Sequence, residues 1–116
     1  MTNPVINENG HQYWYKNNKL HREDGPAIIR ANGSQYWYKN NKLHRENGPA
    51  IIYADGSQSW YINDKRHRTD GPAIIREDGT HSWWLNDIKY DFAEYVKVRF
   101  PHDCKEKIIF LLKYQK

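Results

Sequence analysis

The chain has only one cysteine, Cys104, so its 116 residues can form neither an intrachain disulfide nor a Cys-x-x-Cys metal or redox pair. Its first residues, MTNPVINENG, have neither the basic nor the apolar segment of a secretory signal peptide. No apolar run approaches the length of a membrane-spanning helix. We therefore expect a cytoplasmic protein with no disulfide framework and no membrane span.

Charge of one sign is also scarce, because 18 Lys and Arg against 14 Asp and Glu leave a net charge of +4. This is weaker than the clustered basic field of a dedicated DNA-binding domain. Leucine is scarce, whereas aromatic residues make up 15% of the chain. Aromatic and β-branched residues suit a half-buried pleated surface, so the composition favours a mainly β single domain over a helix bundle.

The most prominent pattern present is an internal repeat with a step of 23 residues. The tryptophans on this step are Trp14, Trp37, Trp60 and Trp83. The HR-x-x-GPAII segments share the same phase, and their histidines are His21, His44 and His67, with Tyr90 in the fourth place. The turn pairs are Asn9-Gly10, Asn32-Gly33, Asp55-Gly56 and Asp78-Gly79. Residues 4–90 therefore contain about four copies of one structural unit.

Two turn signals in each unit predict β-hairpins. Asn-Gly and Asp-Gly between strand-like residues are typical of two-residue type I′ turns. Asn32-Gly33 as such a turn predicts the pairs Ile29–Tyr36 and Ile28–Trp37. A second turn at Asn40-Asn41 predicts the pairs Tyr38–Leu43 and Trp37–His44. Each unit then consists of an Ile strand, a Trp/Tyr strand and a short His-Arg strand.

Comparison of the copies predicts which face of these hairpins is buried. Tyr36 is replaced by Ser59 and Ser82 in later copies, whereas the Ile, Trp and His positions hardly change. Because buried packing tolerates change less than solvent does, we expect the Ile/Trp/His face to be buried and the Tyr face to be largely exposed. The unchanged Ile29 and its copies indicate that the second face is partly covered.

The period-two pattern ends after Tyr90, and residues 91–116 read as a helical cap on the repeat region 1–90. Asp91 is a suitable N-cap for a helix that ends at Pro101 and buries Phe92, Tyr95, Val96 and Phe100. A second helix, with Asp103 as its cap, would bury Cys104, Ile108, Leu111 and Leu112. This segment would cover the open end of the repeat stack. The alternatives are a homodimer through the C-terminal helices, or an edge strand at IIFLL.

No catalytic or metal site is predicted, and no cofactor. The HRED and HREN segments lack the glycine-rich loop and strand lysine of a kinase, and they recur in three copies. Histidines in adjacent copies lie two or three strands apart, roughly 10–14 Å, too far to share a zinc ion. His102-Asp103-Cys104 are neighbours in sequence, and such neighbours rarely face one another.

The unit "YKNNKLHRENG…IIYADGSQ" resembles the MORN repeat. The matching positions are Tyr38, Asn40, Lys42, His44, Gly48, Asp55 and Gly56. The HREDGPA variant and the WWLN strand before a helix look more like the MORN-variant proteins of bacteria, phages and giant viruses. The resemblance implies an elongated, twisted antiparallel β-meander that serves as a binding or scaffolding module without chemistry of its own.

These observations predict a non-enzymatic interaction module with a protein partner. The predicted partner-binding residues are Tyr15, Tyr36, Tyr38, Tyr61, Trp84, Arg22, Arg45 and Arg68, because Tyr, Trp and Arg are enriched at interface hot spots. The phage resemblance implies an inhibitor of a host defence system that acts in the host cytoplasm. The alternative is a binder of nucleotides, cyclic oligonucleotides or single-stranded nucleic acid, since rings beside guanidinium groups stack bases and hold phosphates. The same residues could instead only pack against one another across the strands.

Overall fold

The computed structural model describes residues 3–115, which form fifteen short strands followed by two helices. The strands are β1 (Val5–Ile6), β2 (Gln12–Tyr13), β3 (Tyr15–Lys16), β4 (Lys19–Leu20), β5 (Ile28–Ile29), β6 (Gln35–Tyr36), β7 (Tyr38–Lys39), β8 (Lys42–Leu43), β9 (Ile51–Ile52), β10 (Gln58–Ser59), β11 (Tyr61–Ile62), β12 (Lys65–Arg66), β13 (Ile74–Ile75), β14 (His81–Leu85) and β15 (Ile88–Tyr90). The helices are α1 (Phe92–Arg99) and α2 (Lys105–Tyr114). The molecule is elongated, measuring 51 × 30 × 22 Å. The predicted mainly β repeat fold with a helical C-terminal cap is confirmed.

Nine strands form one antiparallel sheet in the order β1-β2-β5-β6-β9-β10-β13-β14-β15. Three small hairpins, β3-β4, β7-β8 and β11-β12, branch from it. The branch point in each of the first three units is a tryptophan that lies between two strands: Trp14, Trp37 or Trp60. In the fourth unit β14 is continuous and takes part in both pairings.

The predicted register of the first hairpin in each unit is wrong by one residue. Ile28 pairs with Tyr36 and Ile29 with Gln35, so neither isoleucine pairs as the two-residue turn predicts. The loop has three residues, because the Gly33 amide donates to the Arg30 carbonyl and the Arg30 amide donates to the Ser34 carbonyl. Only Gly33 has positive φ there, at 95°, which is the geometry of a type I turn followed by a glycine bulge.

The predicted register of the second hairpin is confirmed. Tyr38 pairs with Leu43, and the His44 amide donates to the Trp37 carbonyl at 3.0 Å. Asn40 and Asn41 have φ of 51° and 69°, as a type I′ turn requires. Asparagine tolerates this left-handed conformation better than most residues, which explains why Asn or Asp fills both positions in all four units.

The register error changes the composition of the buried face. Tyr36 pairs with both Ile28 and Ile51 and so shares a face with them, which means that the predicted separation of a buried Ile/Trp/His face from an exposed Tyr face is wrong. Ala27, Ala50 and Ala73, absent from the sequence-based core, are 0% exposed. The second face, with Ile29 and its copies, is half-buried as expected.

The principal aromatic cluster lies at the C-terminal end, where both helices pack on β14. Its buried members are Trp83, Leu85, Tyr95, Val96, Phe100 and Phe110. The predicted N-cap of α1 is confirmed, since the Asp91 carboxylate accepts from the Glu94 amide at 2.8 Å. IIFLL is helical and not an edge strand. Neither helix in the described range has the length and apolar character needed to cross a membrane.

Two details of α2 differ from the sequence prediction. Its N-cap is Cys104, which makes no capping hydrogen bond through its side chain, and Asp103 pairs instead with Lys107 at 3.0 Å. Of the predicted stripe, Cys104 and Leu111 pack against the cap core, whereas Ile108 and Leu112 are 59% and 78% exposed. Phe110 is the buried residue of α2, and its ring packs against Trp83 and against the rings of Phe92 and Tyr95 in α1.

Candidate interaction surface

One side of the repeat stack presents a continuous set of aromatic rings. The rings of Tyr13 and Tyr15 stack at 6.5 Å, and the Tyr53 ring meets the edge of Tyr36 at 6.3 Å. In the fourth unit the Trp84 indole donates to the Ser82 hydroxyl at 2.9 Å, so this ring covers a position that holds tyrosine in the first two units. We call this surface the tyrosine face, and it contains Tyr13, Tyr15, Tyr36, Tyr38, Tyr53, Tyr61 and Trp84.

The rings of the tyrosine face are accessible to a partner, and most of each ring is packed against its surroundings. Among the rings predicted to bind a partner, Tyr15 is 45% exposed and the others are half-buried. Tyr53, which was not predicted, is 40% exposed. Burial, and secondarily the negative charge of Asp64, raises the pKa of Tyr38. The Tyr38 hydroxyl therefore stays protonated near neutral pH, and a ring held this way can provide apolar area together with a hydrogen-bonding group.

Two cations belong to this face, and neither was among the predicted residues. The Arg66 guanidinium lies 3.9 Å from the Trp84 ring and bonds to Asp87 at 2.7 Å. The Arg30 guanidinium lies 5.1 Å from the Tyr36 ring. Arg66 lies opposite Tyr61 at the position where Leu43 lies opposite Tyr38. This replacement of leucine by arginine supplies the cation that stacks on Trp84.

The predicted arginines are not part of this face. The guanidinium groups of Arg22, Arg45 and Arg68 each lie 3.9 Å above the tryptophan ring of their own unit. Each also donates through Nη1 to a proline carbonyl four residues later, at 3.0–3.1 Å. These side chains fold back over the tryptophans and therefore do not lie beside the tyrosine rings.

The glycine of each GPAII segment leaves room for this guanidinium because it has no side chain. A Cβ on Gly25, Gly48 or Gly71 would lie 2.9, 3.0 or 2.7 Å from the Arg Cζ atom. Each guanidinium is therefore held between an indole ring and a bare backbone. The HR-x-x-GP segment thus forms a structural clamp, which answers why it recurs in every junction.

Each histidine joins neighbouring units. The backbone amides of Asn40, Asn63 and Asn86 donate to the Nδ1 atoms of His21, His44 and His67 at 3.0–3.1 Å. Nδ1 must carry no proton to accept these bonds. His21 also bonds through Nε2 to Glu23 at 2.7 Å, which fixes its proton on that nitrogen. Burial, aided by the charge of Arg99, lowers the pKa of His67.

The second turn residue of each hairpin completes the junction. The Asn41 amide donates to the Leu20 carbonyl at 2.9 Å, and its side-chain oxygen accepts from the Leu20 amide at 2.7 Å. Asp64 repeats both contacts on Leu43. A single left-handed residue therefore pairs with both backbone groups of the preceding unit, which satisfies groups that would otherwise be exposed at a strand edge.

Between consecutive HR-x-x-GP loops lie grooves that are copies of one another. The first groove runs between residues 22–26 and 44–47 and contains Trp37 and Lys39. The second groove runs between residues 45–49 and 67–70, contains Trp60 and Ile62, and has a volume of about 600 Å³. The equivalent third position, next to loop 68–72, holds Trp83 and Leu85 and is filled by the helical cap. Repeat comparison alone could not reveal these grooves, because they depend on how the loops bend.

No constellation for catalysis emerges from the described residues. Within residues 3–115, no group of three His, Cys, Asp or Glu side chains lies close enough to hold a metal ion. Cys104 packs against the cap core, while His102 and Asp103 are exposed. Comparison of the chain with protein-family models, curated proteins and solved structures finds no match.

Proposed function

We propose that this chain is a non-enzymatic module that binds a protein partner through its tyrosine face. The observation that carries the proposal is the set of accessible rings on one side of the scaffold, of which Tyr15 and Tyr53 are exposed and the others half-buried. Tyr, Trp and Arg are enriched at interface hot spots, and Tyr and Trp bury large areas at low entropic cost. The resemblance to phage MORN-variant proteins extends the proposal to occlusion of a host defence protein.

A protein partner is better supported than a nucleic acid. Phosphate binding needs cations that are free to approach the ligand, and Arg22, Arg45 and Arg68 are engaged with tryptophan rings and proline carbonyls. Arg22 and Arg68 also pair with Asp24 and Asp70 at 3.0 and 2.9 Å. The net charge of +4 adds little long-range attraction.

The test is affinity capture from the host lysate with two matched variants. Tyr38→Ala with Tyr61→Ala removes two central rings of the tyrosine face, and we expect bound partner to fall by roughly tenfold or more. Gln35→Ala with Gln58→Ala alters half-buried residues on the opposite face of the nine-stranded sheet and should leave capture unchanged. Mass spectrometry with labelled standards measures both.

Equal capture by the tyrosine variant and the native chain would contradict the proposal, provided that circular dichroism shows both folded. Salt separates the partner classes. A protein held by aromatic anchors should remain bound as salt rises from about 0.1 to about 0.5 M, whereas a bound nucleic-acid strand should be released steeply.

A further inference from the structure

The helical cap shows what an HR-x-x-GP groove can bind. In the third position the Trp83 ring packs 4.9 Å from Tyr95 and 5.3 Å from Tyr114. Asp91 occupies the place that holds an arginine in the earlier units, so aromatic rings of the helices cover this indole instead. Trp83 is consequently 6% exposed, while Trp37 and Trp60 in the open grooves are half-buried.

Three donors on the cap bond to consecutive carbonyls of loop 68–72. The Tyr95 hydroxyl donates to the carbonyl of Arg68, and Arg99 Nε donates to that of Thr69 at 2.9 Å. The Tyr114 hydroxyl donates to the carbonyl of Asp70 at 3.0 Å. Tyr95 and Arg99 are four residues apart and therefore lie on one side of α1. The loop is thus read by a helix that presents a Tyr-x-x-x-Arg pair.

The second groove presents equivalent carbonyls to solvent, but its Trp60 ring is covered at 3.9 Å by the Arg68 guanidinium, which has no counterpart over Trp83. The carbonyls of Arg45, Glu46 and Asn47 are the copies of those three acceptors, and no donor within residues 3–115 bonds to them. Ile62 stands where the cap site has Leu85, so the floor is apolar in both. In the first groove the same position is Lys39, which places a charge on the floor.

One carboxylate of the second groove is available to a basic helix. Arg45 and Arg68 are stacked on Trp37 and Trp60, and Asp70 pairs with Arg68 at 2.9 Å, whereas Glu46 is exposed and pairs with no cation within residues 3–115. The last turn of each cap helix carries basic residues, Lys97 and Arg99 in α1 and Lys113 in α2. The groove also adjoins the existing interface, since Thr69 and Asp70 line it on one side and bond to the cap on the other.

We propose that the second groove binds an amphipathic α-helix of a partner protein that presents a Tyr-x-x-x-Arg pair and a neighbouring aromatic ring. The helix lies beside the cap, with its tyrosine ring against the Arg68 guanidinium that covers Trp60 and its donors on the Arg45 and Glu46 carbonyls. This site uses the indole and loop surface and goes beyond the tyrosine face, so either one can fail without the other.

The test uses the full chain and a synthetic peptide with the sequence of residues 91–115, in which Cys104→Ser prevents oxidation. Two-dimensional NMR follows the Trp60 indole and the Gly48 amide during titration. We expect saturable shifts at both signals with an affinity in the range of about 0.1–1 mM, because the peptide must order itself on binding. A peptide with Tyr95→Ala and Arg99→Ala should produce no saturable shift.

The repeats supply matched variants of the full chain. Ile62→Lys gives the second groove the residue that the first groove already holds at that position, so the fold should tolerate it, and binding should weaken about tenfold through the lost apolar contact. Lys39→Ile is the reverse change and should create a second response, at the Trp37 indole.

Absence of saturable shifts at Trp60, or equal binding to the Ile62→Lys variant, would overturn the proposal. Shifts confined to Trp83 would also overturn it, because they would show that the peptide exchanges with the cap. The tyrosine-face variant, Tyr38→Ala with Tyr61→Ala, should bind the peptide as the native chain does. Its result therefore separates failure of this site from failure of the tyrosine face.

Discussion

Replacing Arg45 with alanine should destabilise the fold and should do so through the clamp. The Arg45 guanidinium lies 3.9 Å from the Trp37 ring and donates to the Pro49 carbonyl at 3.1 Å. A partly buried cation–π contact contributes about 1 kcal/mol. A hydrogen bond from a charged donor to a half-buried carbonyl contributes about 1 kcal/mol more. We therefore expect Arg45→Ala to lower the free energy of unfolding by about 2 kcal/mol, or about 8 °C in Tm.

Gly48 provides an internal check on this mechanism. A Cβ at this position would lie 3.0 Å from the Arg45 Cζ atom, so Gly48→Ala should cost about 1 kcal/mol in the native chain. In the Arg45→Ala background the guanidinium is absent, and the same glycine change should cost almost nothing. The two changes should therefore be non-additive by about 1 kcal/mol in a double-mutant cycle.

Urea unfolding followed by tryptophan fluorescence and by circular dichroism measures these differences. Arg76→Ala is the matched control, because it removes an exposed arginine and the same charge from a neighbouring strand end. If Arg45→Ala and Arg76→Ala unfold at the same urea concentration, or if the glycine and arginine changes are additive, the clamp does not stabilise the fold as described.

Two further predictions concern the junctions between units. Asn41→Gly keeps the left-handed backbone and loses only the bond to the Leu20 amide, so it should lower the free energy of unfolding by about 1 kcal/mol. Asn41→Ala adds left-handed strain and should lower it by about 2–3 kcal/mol, as measured by urea unfolding. Equal costs would contradict the role given to the backbone. Burial lowers the pKa of His67 below its usual value of 6.5, so its contribution to stability is full above that unfolded-state pKa and is lost as pH falls through the folded-state pKa. His67→Gln keeps an acceptor without titrating, and its urea midpoint should fall less than that of the native chain between about pH 7.5 and about pH 5; parallel pH profiles would contradict this.

The type I′ turns could be predicted from sequence because their chemistry is local. Asn40 and Asn41 both need positive φ, few residues tolerate it, and a two-residue loop leaves one register. The period of 23 then placed the same hairpin in every unit. The Asp91 cap and the buried face of α1 were predictable for the same reason, since each depends on residues within one turn.

The Asn32-Gly33 turn shows where local reasoning stopped. Asn-Gly fits both a two-residue turn and a three-residue loop with a glycine bulge, and nothing within five residues distinguishes them. All four units adopt the three-residue loop, and in the second unit the Ser34 hydroxyl also accepts from the Ala54 amide of the next unit. A one-residue slip reverses which side chains share a face, so the positions of Tyr36 and of the arginines could not be derived together.

The residues of the candidate surface could be predicted only where they follow the repeat. Tyr15, Tyr38, Tyr61 and Trp84 were found together because they follow the repeat. Tyr13 could also have been found, as the copy of Tyr36 one unit earlier. Tyr53 replaces arginine at its repeat position, so no pattern pointed to it. The choice of Phe110 over Ile108 for the cap core depended on the depth of the Trp83 pocket, which a helical stripe alone does not encode.

The equivalence of the three His–Asn contacts has a consequence for how such a chain can change length. Each internal seam is built from the same few bonds between residues 19 to 21 positions apart, and within residues 3–90 no hydrogen bond skips a unit. Excising residues 27–49 would bring together two ends whose donors and acceptors already match, and the shortened rod would keep both its first strand and its terminal helices. Genes for such rods can therefore gain or lose whole rungs in one step, without any compensating substitution.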